Sequence, residues 1–120
     1  MLELVNGYRE AASRAHGVTA RMIVHCSAGI GRSGTFIAID VILKRLEAAF
    51  SLWRNASASD SDADVDAVIA HGADLLRDAL DVAALVHRLR TQRDGMVQTL
   101  EQYVMIHDFL AALLDDRQPW

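Results

Sequence analysis

The chain has 120 residues, 52% of them hydrophobic, and a formal net charge of −4. That suits one small domain with a core and excludes wholesale disorder. It also argues against a nucleic-acid binder working through general electrostatics.

The single cysteine excludes an internal disulfide and fits a reducing compartment, so a cytoplasmic location is expected. No apolar run reaches the ~18 residues of a membrane span. The N-terminus does not read as a secretory signal. The scattered histidines and one cysteine build no zinc site.

Residues 2–15 predict a helix, because Leu2, Val5, Tyr8 and Ala12 recur at helical spacing. Gly17 is a plausible stop. Met22, Ile23 and Val24 form a short apolar run that predicts a buried strand over 22–25. Its neighbours are not evident, which leaves its hydrogen-bonding edges unaccounted for.

A helix is predicted from Ser33 or Gly34 to about Phe50, with Lys44 and Arg45 late, where the dipole favours them. Asp40 interrupts its apolar stretch and is either buried against the preceding loop or solvated. Residues 55–66 are acidic and of low complexity, and predict an exposed loop. Their alternating aspartates lack the glycine and closing glutamate of a calcium loop.

A helix over 67–80 follows, weakened by Gly72. The next spans 81–93, with Val82, Leu85, Val86 and Leu89 on one face and Arg88, Arg90 and Arg93 gathering toward its end. Gly95 is placed for a left-handed turn. Thr99 and Gln102 have the spacing of a capping box, so a last helix is predicted over 100–114. The fold class expected is α/β, mostly helical, with a central strand leading into a loop.

That loop carries the chemistry. His25, Cys26, Ser27, Ala28, Gly29, Ile30, Gly31, Arg32, Ser33 and Gly34 lie between the strand-like run and a helix start. A strand, a glycine-bearing turn and a helix N-terminus direct backbone N–H groups and a positive dipole end at one point. Cys26 sits where that potential stabilises a thiolate. Alone, it would read as a small buried hydrophobe. Arg32 sits where its fork can hold two oxygens of an anion. A plain surface arginine near a helix start would be disfavoured by the dipole. Ser33 can also act as a helix N-cap.

These residues resemble the His-Cys-x5-Arg-Ser/Thr signature of the phosphotyrosine-specific protein tyrosine phosphatases. The segment from Gln92 through Gln98 and Gln102 to Tyr103 resembles the glutamine loop of the same family, downstream in the right order. The resemblance implies hydrolysis of phosphotyrosine in proteins through a cysteinyl-phosphate intermediate, with no metal or cofactor. It gives Cys26 as nucleophile and Arg32 as phosphoryl clamp. Ser33 helps the thiolate leave and His25 tunes the cysteine. Ser27, Ala28, Gly29, Ile30 and Gly31 form the oxyanion cradle. Gln98 and Gln102 position substrate and the attacking water.

The resemblance covers nearly all 120 residues but only the C-terminal half of that family's catalytic domain. Residues 1–120 are therefore expected to be a partial phosphatase domain. The family's general acid lies in a Trp-Pro-Asp loop, and the only proline here is Pro119. By family order that loop would fall just before Met1. Asp94 and Glu101 lie near the glutamine loop, without a family counterpart for the acid. The alternative is a phosphate-binding or regulatory fragment with impaired turnover.

Overall fold

The computed structural model describes residues 10, 11, 14, 22–56 and 62–115. The helix predicted over 2–15 lies mostly outside them; its described positions Glu10, Ala11 and Arg14 are helical. Four further helices follow in chain order: α1 (Gly31–Ala56), α2 (Asp62–Leu80), α3 (Val82–Gln92) and α4 (Leu100–Leu114).

The long α1 is the spine. Ala38, Ile42, Leu46 and Ala49 are buried along it, close to one-turn spacing. Ala38, Ile42 and Leu46 meet Ala79 of α2, Val82, Leu85, Val86 and Leu89 of α3, and Ile106 and Leu110 of α4 in one core. Met96 and Val97, in the connection before α4, complete it. Met96, Val97, Ile106 and Leu110 therefore pack on the helix that leads out of the Cys26 loop.

Joints between helices are tied by polar groups. Arg45 Nη1 of α1 donates to the Asp78 carbonyl at 2.8 Å, serving one of the open carbonyls at the end of α2. Asp81 alone separates α2 from α3, and its Oδ1 accepts the Ala84 N–H at 2.8 Å as the N-cap of α3. Thr99 and Gln102 form the expected capping box at the start of α4. Asp40 pairs with Lys44 one turn later, at 2.9 Å.

Two expectations are corrected. Residues 22–26 are irregular, and no strand occurs among the described residues. Ile23, expected inside a sheet, is 91% exposed. An apolar run becomes a strand only when a neighbour completes its ladder, and no described segment does so. The described part of the chain is helical, not α/β. The other correction concerns helix ends. α1 begins at Gly31 and runs to Ala56, past the predicted Phe50. Phe50 and Trp53 meet edge-on, and Trp53 packs over Gly72 of α2, where any Cβ would collide with the indole. Of the acidic stretch 55–66, residues 62–66 belong to α2 and 57–61 lie outside the described residues.

Among the described glycines, the closest approach of another backbone lies at Gly34. A Cβ there would stand 2.5 Å from the Val97 nitrogen and 3.2 Å from the Met96 carbonyl carbon, both backbone atoms. Gly34→Ala gains helix propensity of at most about 1 kcal/mol but forces two backbones apart, at about 1–3 kcal/mol. A net loss of stability is expected in urea denaturation. An unchanged or higher midpoint would contradict this packing.

Candidate functional site

Cys26 is half-buried at the start of the turn into α1. The turn closes through Gly29, whose φ of +71° suits a residue without Cβ. The Gly29 N–H donates to Cys26 Sγ at 3.2 Å. The thiol is lowered to about pH 6, first by the Ser33 hydroxyl and the Ser33 amide, with smaller contributions from the Gly29 and Ile30 amides; partial desolvation opposes them. Of these groups, the Gly29 N–H is the one hydrogen-bonded to the sulfur.

Ser33 is 3% exposed, and its hydroxyl meets no hydrogen-bond partner of regular geometry. It is nevertheless the largest influence on the sulfur. The two facts fit together, because a thiol sulfur is a weak acceptor and a thiolate bears full charge. Ionisation of Cys26 gives this buried hydroxyl its partner.

Arg32 is exposed, and its Nη2 donates to Ser27 Oγ at 3.1 Å. The guanidinium therefore folds back to the residue beside Cys26. Ser27 and Ala28 are exposed, Gly29 and Ile30 half-buried, and Gly31 buried. His25 is exposed at the head of the loop.

The segment after α3 abuts this loop. Arg93 Nη2 donates to the Ala28 carbonyl at 3.3 Å, and its guanidinium covers Gly29. Val97 N–H donates to the Ile30 carbonyl at 3.1 Å. The Gln102 amide lies directly on Gly31, with Nε2 only 2.8 Å from where a Cβ would stand. Gln102 Oε1 also accepts the Gln98 and Thr99 N–H groups, at 2.8 and 3.2 Å. Gln98 instead lines a shallow cavity of about 370 Å³ with His87, Arg90, Thr99 and Tyr103. The structure thus brings Cys26, Ser27, Arg32, Ser33 and Gln102 to one place and sets Gln98 beside a different concavity.

Arg93 and Arg90 are the residues that sequence reasoning did not single out. Their only signal was the gathering of arginines at the end of α3, which a helix dipole alone would explain. Glu101 is held below the usual carboxylate range by its own backbone N–H and the Thr99 hydroxyl. That environment favours the ionised form and opposes a role as proton donor near neutral pH. Among the described residues, no group of three or more His, Cys, Asp or Glu side chains could hold a metal ion.

The arrangement gathers a thiol of lowered pKa, a backbone N–H bonded to its sulfur and a nearby guanidinium in one turn. The protein-tyrosine phosphatase family model matches residues 1–60 and 63–112. Tyrosine-protein phosphatase 1 of Schizosaccharomyces pombe is 36% identical over 101 residues, which are 84% of this chain and 15% of that protein. Tyrosine-protein phosphatase 3 of Dictyostelium discoideum is 34% identical over 113 residues, 94% of this chain and 9% of that protein. Phosphatidylinositol phosphatase PTPRQ of Homo sapiens is 35% identical over 106 residues, 88% of this chain and 3% of that protein. The chain therefore spans a small part of the length of each of these relatives. No solved structure matches it.

As the only cysteine, Cys26 can be titrated by alkylation. Its native pKa lies below that of an unfolded thiol, near ~8.5. Native alkylation by iodoacetamide should stay fast at neutral pH and fall as pH drops through about 6. In denaturant the same decline should occur near ~8.5. Ser33→Ala should raise the native midpoint. Coincident native and denatured profiles would show that the loop does not stabilise the thiolate.

Proposed function

This chain belongs to the protein-tyrosine phosphatase family, and we propose that it carries the nucleophile and phosphate cradle for hydrolysis of phosphotyrosine in proteins. The Gly29 N–H on Cys26 Sγ, in a turn whose Ser33 hydroxyl and amide lower the thiol to about 6, carries this reading. The Cys26 thiolate attacks phosphorus, a P–S bond forms, and the bond to the tyrosyl oxygen breaks. Loop amides and the Arg32 fork replace the solvent around the phosphoryl oxygens and stabilise their charge in the transition state. Water then attacks phosphorus, the P–S bond breaks, and Ser33 steadies the departing thiolate.

The leaving phenolate needs a proton. Glu101 is held ionised. The proposed source is therefore a carboxylic acid from sequence preceding this segment in a longer protein, as the family resemblance implies. In this reading Gln102, packed on Gly31, orients the water, while Gln98 reaches substrate only by leaving its cavity. A reducing compartment such as the cytoplasm keeps the thiolate competent. No helix among the described residues is long and apolar enough to cross a membrane. A relative named as a phosphatidylinositol phosphatase makes inositol phospholipid the competing substrate.

The test compares this chain with a longer chain extended upstream. Both are given a phosphotyrosine peptide and vesicles containing a phosphatidylinositol phosphate. Peptide hydrolysis is expected in the longer chain, lost in Cys26→Ser. In Arg32→Lys it should fall by about 10²–10³. Acid quench should trap phosphate on Cys26. Preferred release from lipid would replace the substrate assignment. Phosphate protection of Cys26 with no turnover in either chain would leave the binding-module reading.

A further inference from the structure

We propose that Arg90 is a positioning residue for the Cys26 loop, holding Val97 in a left-handed backbone conformation from which Val97 braces the loop through the Ile30 carbonyl. The inference rests on the oxyanion-site reading above.

Val97 has a φ of +58°, the one non-glycine residue with positive φ among the described residues. It is β-branched and 1% exposed. Such a residue occupies that region only when its surroundings impose it. Arg90 supplies the restraint. Its Nε donates to the Met96 carbonyl at 3.0 Å and its Nη2 to the Val97 carbonyl at 2.9 Å. One rigid fork thus fixes two successive carbonyls. These bonds reach beyond α3, so Arg90 does more than complement the end of its own helix.

The held conformation has a direct consequence. It aims the Val97 N–H at the Ile30 carbonyl, 3.1 Å away, across the gap that Gly34 leaves open. Ile30 follows Gly29, whose N–H donates to the Cys26 sulfur at 3.2 Å, and its own amide contributes a little to lowering the thiol. Arg90 is therefore linked to the nucleophile through Val97 and Ile30 without touching it. Were residue 97 to relax to negative φ, its N–H would swing off the carbonyl and the loop would lose that brace. Lysine could not replace the fork, since a point ammonium does not match two carbonyls at fixed spacing.

The experiment is a double-mutant cycle on the intact chain. R90M keeps the apolar stem and removes the donors. V97G removes the strain, because glycine accepts positive φ unaided. Three quantities are measured in all four proteins: the pH midpoint of Cys26 alkylation, protection of Cys26 by inorganic phosphate, and the circular-dichroism melt. R90M should raise the alkylation midpoint and weaken phosphate protection by about fivefold. In the V97G background the effect of R90M should shrink to less than about twofold. Equal effects in both backgrounds, or no effect of R90M on a folded chain, would overturn the proposal. If R90M does not fold, V97G should restore its melt, and failure to do so is equally fatal. Absence of phosphate protection in the wild type would sink the oxyanion reading instead, while the alkylation midpoint still reports on Arg90.

Discussion

The Ile30 carbonyl is the hinge of this structure. It accepts the Gly34 N–H at 3.0 Å and the Val97 N–H at 3.1 Å. The first bond starts α1 directly out of the Cys26 loop. The second fastens to that loop a segment more than sixty residues later in the chain. One oxygen with two lone pairs therefore joins the local geometry of the nucleophile to the tertiary packing of α3 and α4. Burial of Met96, Val97 and Ile106 in the core is what holds the second donor in reach. Hydrophobic packing and the aim of the loop amides are here one constraint, met by the absence of a side chain at Gly34.

The local field differs in sign from the whole molecule. A chain with net charge −4 presents a positive point at Cys26, made from partial charges more than from ions. Three amides and a hydroxyl bring the thiol to about 6, and the guanidinium of Arg32 is tethered to Ser27 rather than to the sulfur. Dipoles fixed by the turn remain aimed whether or not an anion is present. The unfulfilled hydroxyl of Ser33 shows the same preorganisation from the other side, since burial of an unpaired donor is costly unless a charged acceptor arrives. Arg93, anchored on Ala28, adds a second cation at the rim.

Much of this was legible in the sequence because its causes are local. The spacing from Cys26 to Arg32, the glycine turn, the capping box of Thr99 and Gln102 and the left-handed Gly95 all depend on neighbours a few residues away. The helices over 81–93 and 100–114 were readable for the same reason. What failed depends on distant partners. Apolar residues 22–24 read as a strand, yet a strand exists only in a ladder. The end of α1 moved six residues because Trp53 found Gly72 on another helix. Arg90 and Arg93 looked like ordinary helix-end cations. Their work lies with carbonyls at Met96, Val97 and Ala28, and no periodicity encodes that. Val97 is the sharpest case: a β-branched residue gives no sequence signal for positive φ.

Binding an oxyanion and turning it over make different demands on this architecture. The residues that the proposed reading assigns to the anion, from Cys26 to Gly34 and from Arg90 to Gln102, are drawn together by the bonds described here. Protonating a leaving phenol requires a carboxyl that keeps its proton near neutral pH, which means burial or a neighbouring like charge. Glu101 has neither: it is served by its own amide and the Thr99 hydroxyl, both of which stabilise the anion. Its place in the first turn of α4 adds the favour of the helix dipole. The same features that make it a good helix-start residue disqualify it as the acid. Recognition is thus a property of the contacts within these residues, and completion of the reaction is assigned to a group that the Cys26 loop does not itself position.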